Sequence, residues 1–274
     1  RIIAYVIVNS FALYMLVFVE QGYILAIYFS ILLSSILTWV IRSERKSIEY
    51  RAKLYKFAQN NGFTLLESDT HTANESGIIF NQGHKRKIND GFLTSDGIEI
   101  ANYAYEIGRG QYSTIKMYGY VKIPLLRQMP HMILDAKANN FMGDFTNILN
   151  NLNKSQALSL EGNFDSYFTL YVPTKYEKDA LYIFTPDVMA RLIDSSRDFD
   201  IEIIGSNIYL YKKDFFNLDS SNELKSVFGV VDVIFTEIMN QTLRYKDEKV
   251  DNESLLYGEV HQSGVQLRKF NYYN

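Results

Sequence analysis

The chain has 274 residues, 47% of them hydrophobic and 15% aromatic, with 21 Tyr and 18 Phe and a net charge of −3; this suffices for one packed domain of ordinary size beside a membrane anchor and excludes wholesale disorder. There is no cysteine, which excludes a disulfide framework, a thiolate metal site and a cysteine nucleophile and suits a reducing compartment. The first residue is Arg1 rather than Met, so the natural start is expected to precede it or to have been processed away.

Residues 2–19, IIAYVIVNSFALYMLVFV, carry no charge and as a helix would reach about 27 Å, close to the roughly 30 Å of a bilayer's hydrocarbon. After EQG at 20–22 a second uncharged run, 23–41, places Tyr23 and Trp39 near its ends, where amphipathic rings favour the membrane interface. So short a link predicts an antiparallel transmembrane hairpin over 1–41. A signal peptide would need a small-residue cleavage site, and TWVIRSERK after the second run offers none. Residues 42–56 hold Arg42, Arg45, Lys46, Arg51, Lys53 and Lys56 against Glu44 and Glu49, a balance of +4, and the positive-inside bias assigns that flank to the cytosol. Arg1 and Glu20 cancel, so the total of −3 less this +4 leaves −7 for residues 57–274. A basic juxtamembrane stalk, 42–60, is thus expected to join a bilayer to an acidic cytosolic domain over 61–244, with a polar tail over 245–274.

The stalk reads as a continuation of the second helix until NNG at 60–62 stops it. GFTLLES, GIIFNQG, DGFLTSDG, IEIANYAYEI and QYSTIKMYGYVKI then follow at short intervals, β-branched or aromatic and bounded by Gly, Asn or Asp, and predict strands. GRG at 108–110 predicts a hairpin turn with positive φ at glycine; no Gly-Lys-Ser/Thr follows, which excludes a phosphate loop. Residues 158–172 alternate, with Leu158, Leu160, Phe164, Phe168, Leu170 and Val172 on one side and Glu161, Asn163, Asp165, Tyr167, Thr169 and Tyr171 on the other, which predicts one long strand with a buried and a polar face. Thr174 with Glu177 predicts a capping box for a short helix. Thr185, Pro186 and Asp187 predict the start of another, with Val188, Met189, Leu192 and Ile193 inward. FDIEII and NIYLYKK read as two strands joined at Gly205 and Ser206. The helix from Ser220, capped with Glu223, should lay Leu224, Val227, Phe228, Val231, Phe235 and Ile238 across a sheet. Beyond Arg244, GVQLRKF suggests an edge strand.

Enzymatic signatures are weak. Glu161 and Asp165 share the polar face, but four residues of strand separate them by about 13 Å, outside the roughly 5–9.5 Å of hydrolytic carboxylate pairs; a bulge at Gly162 would shorten that. His71, His84, His131 and His261 lie far apart with no metal-ligand spacing, so no metal and no cofactor is expected. GHKRK at 83–87 is a basic patch between two strands, yet an acidic domain argues against nucleic acid. No nucleophile elbow, kinase, Walker or dinucleotide motif occurs.

FAQNNGF (57–63), LEGNFDSYFTLYVP (160–173), DALYIFTPDVMARLID (179–194) and FDIEI (199–203) together resemble a motif set of uncharacterised bacterial membrane-anchored proteins, in which a hydrophobic pair precedes a cytosolic domain of unknown function. The resemblance spans most of 57–212. It implies a bacterial inner membrane, an anchor and a single cytosolic domain, and brings no catalytic residues.

The expected fold class is α+β: a transmembrane helical hairpin followed by mainly antiparallel strands covered by a few helices. The expected function is a membrane-anchored scaffold or sensor that binds a protein partner through Tyr167, Tyr171, Glu161 and Asp165. The competing readings are a membrane-bound hydrolase using carboxylates and an anionic-lipid headgroup module using Arg42, Arg45, Lys46, His84, Lys85, Arg86 and Lys87.

Overall fold

The structure is a computed structural model that describes residues 10, 14, 23–66, 75–139, 157–160, 162–173 and 175–245. The chain divides into two compact units, Arg1–Phe57 and Ala58–Asn274. The second hydrophobic run and the basic stalk are one uninterrupted helix, α1 (Tyr23–Asn61), most of it in the first unit and the one helix among the described residues long and apolar enough to cross a membrane. Tyr28, Phe29, Ile31, Leu32 and Trp39 are open on its surface, at 54–70% exposure, where a water-soluble core helix would have buried them. Ser35 Oγ donates to Ile31 O and Thr38 Oγ1 to Ser34 O, each at 2.7 Å, so these hydroxyls need no water. The helix stops at NNG as expected: Gly62 N donates to Gln59 O and Phe63 N to Ala58 O, the paired bonds of a Schellman ending. The first hydrophobic run, apart from helical Ser10 and Tyr14, lies outside the described residues.

The second unit is α+β, with a seven-stranded antiparallel sheet. Its strands are β1 (Thr64–Leu66), β2 (His84–Leu93), β3 (Glu99–Ile107), β4 (Thr114–Ala136), β5 (Ala157–Leu158), β6 (Phe168–Tyr171) and β7 (Asp200–Lys213). The path is β1-β2-β3-β4-β6-β5, and β7 runs along β4 over both its halves. β3 pairs with the first half of β4 and β6 with the second. Helices α2 (Glu177–Ile183), α3 (Pro186–Ser195), α4 (Ser221–Val233) and α5 (Met239–Arg244) complete the unit, with a π-helical turn, Ile234–Ile238, between the last two.

Several boundaries differ from the sequence reading, each for a local reason. GIIFNQG forms a 3-10 turn, Ile78–Asn81, because it crosses the sheet face as a lid rather than joining an edge. HKRK lies inside β2 instead of a turn. β4 continues 13 residues past Ile123, through Pro124 and Pro130; both prolines fall where the β4–β7 register shifts, and a bulge tolerates the missing N–H. Asp200–Lys213 is a single strand, with Gly205 at φ +57 absorbing the kink that read as a break. The strand expected over 158–172 is broken: a turn at Gly162 and a 3-10 turn, Phe164–Ser166, interrupt it, and the alternation holds only from Phe168 to Val172. Glu177 opens α2, but its N-cap is Tyr176 without a side-chain bond, while Thr174 lies outside the described residues. Thr185 caps α3 and Ser220 caps α4 as expected, accepting from Val188 N and Glu223 N; Glu223, however, turns its carboxylate to Lys212 at 2.6 Å. The π-turn adds a residue to the helical repeat, so Ile234 and Ile238 are buried and Phe235 points out.

Two faces of the sheet are filled differently. One carries Tyr103 and Tyr105 of β3, Tyr118 and Tyr120 of β4 and Tyr209 and Tyr211 of β7, all buried beneath the lid residues Ile78, Ile79 and Phe80. Phe80 sits among Tyr103, Tyr120 and Tyr209 with ring centroids 4.8–5.7 Å away, at tilted or edge-on angles that suit the ring quadrupoles. The other face packs Phe92 of β2 between Phe63 and Phe228 of α4. There Asn102 clamps Phe216, accepting from its N–H at 2.7 Å and donating to its carbonyl at 3.0 Å.

Candidate functional site

Two regions concentrate chemistry, a polar seam buried along β4 and β7 and an exposed hairpin end. The seam arises because alternation puts His131, Ile133 and Asp135 of β4 on the same face as Asp200, Glu202, Tyr209 and Tyr211 of β7. Glu202 is its hub. Its Oε2 accepts from the lid N–H of Ile78 at 2.8 Å and from Tyr211 Oη at 2.6 Å. Nε2 of His131 lies 2.7 Å from Oε1 and is the donor, since a carboxylate only accepts. At the lid's start, Glu75 takes Tyr209 Oη at 2.7 Å and Lys122 Nζ at 2.5 Å, and Tyr120 donates to Glu99. Burial and the neighbouring carboxylates push Tyr120 and Tyr211 well above the usual phenol range, so these tyrosines remain hydrogen-bond donors. Burial also raises Glu99.

At the far end, Asp200 accepts from Ala136 N at 2.6 Å and from Asn139 Nδ2. Asn139 in turn donates to Tyr211 O and accepts from Lys213 N. Burial raises Asp200 well above the ordinary 3.8, with the adjacent Asp135 charge adding to it; burial raises Asp135 as well. An acid whose folded value is raised binds its proton more tightly folded than unfolded. That contribution to stability is fully present below the unfolded value and is lost as pH rises through the folded one. Stability measured by urea unfolding is therefore expected to fall from about pH 4 towards neutrality, and Asp135→Asn, by removing the neighbouring charge, to flatten the decline. Parallel profiles for the two proteins would contradict the coupling.

The sequence-predicted site residues are dispersed. Asp165 folds back to close its own turn, accepting from Leu160 N at 3.1 Å and from Ser159 Oγ. Tyr167 is half-buried, with the exposed Arg197 guanidinium 5.4 Å above its ring. Tyr171 stands half-buried opposite Ile133, its hydroxyl raised by burial and by Asp135. Glu161, His71 and His261 lie outside the described residues, while His84 is exposed and His131 buried. Among the described residues no three His, Asp or Glu side chains gather as a metal site. Arg42, Arg45 and Lys46 are exposed on α1. The seam itself escaped the sequence reading, which ended β4 at Ile123; the available signal was Asp200 and Glu202 alternating with Phe199, Ile201 and Ile203, two acids on one face of an otherwise apolar strand.

The exposed region is the end of the β3–β4 hairpin. Gly108 and Gly110 take φ +86 and +59 in its turn, as expected, and Gly110–Tyr112 adds a 3-10 turn. Tyr112 is 81% exposed and Ile115 64%. Beside it β2 brings Lys85, whose Nζ reaches Glu106 at 2.7 Å; this contact and Ser113 hold the Glu106 carboxyl below its ordinary range.

No family model and no curated relative matches the chain. Among solved structures it is similar to the crystal structure of the mycobacterial trehalose monomycolate transport factor A, TtfA, at 10% identity and a TM-score of 0.41, covering 68% of this chain and 94% of that one. Likeness of that degree carries no argument about function.

Proposed function

We propose that the protein is a membrane-anchored, non-catalytic scaffold or sensor, held at the cytosolic face of a bacterial inner membrane and binding a protein partner with its α+β unit. Its anchor is α1 together with the hydrophobic run at 2–19, paired as a hairpin. Support for the pairing comes from Ser30, Ser34 and Thr38 at four-residue spacing on α1, a stripe of small side chains that lets a second helix approach closely. The positive-inside bias of Arg42, Arg45 and Lys46 supports the orientation.

The observation that carries binding over catalysis is the closure of the seam. His131 and Glu202 are 2% and 1% exposed, and their hydrogen bonds are spent on pinning the lid and joining β4 to β7, so a substrate has no access to them. The groups offered to solvent on this unit include Arg197, exposed and stacked over the half-buried Tyr167 ring, residue types that dominate interface energetics. A photo-crosslinking residue at Tyr167, introduced into the full chain in cells, is expected to capture one recurrent protein that is lost with Arg197→Ala and not captured from exposed Asp96. Identical captured sets from both positions, or none from Tyr167, would overturn the reading.

A further inference from the structure

The β3–β4 hairpin end is apolar on both of its faces. Ile107 follows Tyr105 on the tyrosine face, while Ile115 and Met117 lie on the opposite face beside Glu106 and Ala104. Tyr112 stands at the apex, and Phe215 adjoins Met117 through the bond from Asp214 N to Met117 O. All five side chains are 37–81% exposed. A surface made for one folded partner would concentrate its apolar groups on the side that docks. A wedge with apolar side chains on both of its faces suits a medium able to surround it, and an amphipathic Tyr at its apex suits the headgroup boundary.

Charge agrees. Lys85 and Lys87 of β2, Arg109 of the turn and Lys116 of β4 encircle the wedge, with Arg86 tied by its Nε to Gln82 O and Gly83 O. The acids at this end are Glu106, held by Lys85, and Asp214. Residues 57–274 carry −7 in all, so an anionic surface would repel most of this unit and attract this end. The basic residues also occupy the part of β2 preceding its pairing with β1, where edge lysines ordinarily discourage strand addition; that role explains Lys85 and Lys87 but not the apolar tip they surround.

We propose that the β3–β4 hairpin end inserts into the headgroup layer of an anionic lipid bilayer, with Tyr112, Ile115 and Ile107 as the wedge and Lys85, Lys87, Arg109 and Lys116 as its phosphate-facing collar. This contact is independent of α1 and of the partner surface at Tyr167. It calls for the full chain, with Trp39→Phe removing the one native tryptophan and Tyr112→Trp as reporter, in vesicles of brominated phosphatidylcholine with and without phosphatidylglycerol. The expected result is blue-shifted, bromine-quenched emission in the phosphatidylglycerol vesicles, with Lys87→Glu or Arg109→Glu lowering the ratio of inserted to free tip at least about five-fold each at unchanged thermal stability. Unquenched emission in both vesicles, equal quenching in both, or insensitivity to the two charge reversals would overturn it. So would a reporter that lipid never quenches but that native membranes shield from iodide, a result that would assign the hairpin to a protein.

Discussion

Replacing Glu202 with alanine is expected to cost the fold about 3–5 kcal/mol, the range for breaking a buried polar network from one side. One carboxylate receives Ile78 N, Tyr211 Oη and His131 Nε2, and its loss strands three donors among the buried residues of the sheet and lid. The Cγ methylene and carboxyl volume removed adds a cavity cost. Glu202→Gln keeps the volume and one acceptor oxygen, so its cost should be smaller, about 1–2 kcal/mol. Urea unfolding of the two variants measures the difference. Because Ile78 N is the lid's own bond, Glu202→Ala should also speed amide exchange across Ile78–Asn81 more than across β3. A loss below about 1 kcal/mol, or uniform exchange changes, would mean that the hub does not hold the lid.

Gly119→Ala should also be strongly damaging. A Cβ at Gly119 would lie 2.5 Å from Cδ1 of Phe216, well inside van der Waals contact. The ring cannot easily withdraw, because Asn102 fixes the Phe216 backbone from both sides and Asp214, two residues earlier, is bonded to Met117 and Gly119. Overpacking of this kind costs about 1–3 kcal/mol or more. Phe216→Leu supplies the control: a double variant no less stable than Phe216→Leu alone would locate the clash at this contact, as non-additivity does for touching residues. Simple additivity would place it elsewhere.

The elements legible in the sequence were those written in local chemistry. Thr185-Pro186 and Ser220 mark helix starts because a cap and its acceptor lie within three residues, and Gly108 and Gly110 mark a turn because their backbone demands it. What escaped depended on partners distant in the chain. The strand read as ending at Ile123 runs on through Pro124 and Pro130, because their tolerance rests on a register shift against β7, some 80 residues on. The 3-10 lid looked like a strand, since Ile78–Phe80 is β-branched and aromatic whichever way it packs, and only Glu202, 124 residues away, tells which. Asp165 looked available to a partner because the turn that consumes its carboxylate is set by Gly162 and Ser159 in three dimensions. The seam was invisible for the same reason. Its spacing is meaningful only once β4 and β7 are paired.

The membrane anchor can be tested most directly by washing membranes that contain the full chain with alkaline carbonate and following where the protein goes. Retention in the pellet until detergent is added is the predicted result, since the open apolar side chains of α1 then belong among acyl chains. Release into the supernatant as a monodisperse, detergent-free species would contradict it and return those residues to a water-soluble core.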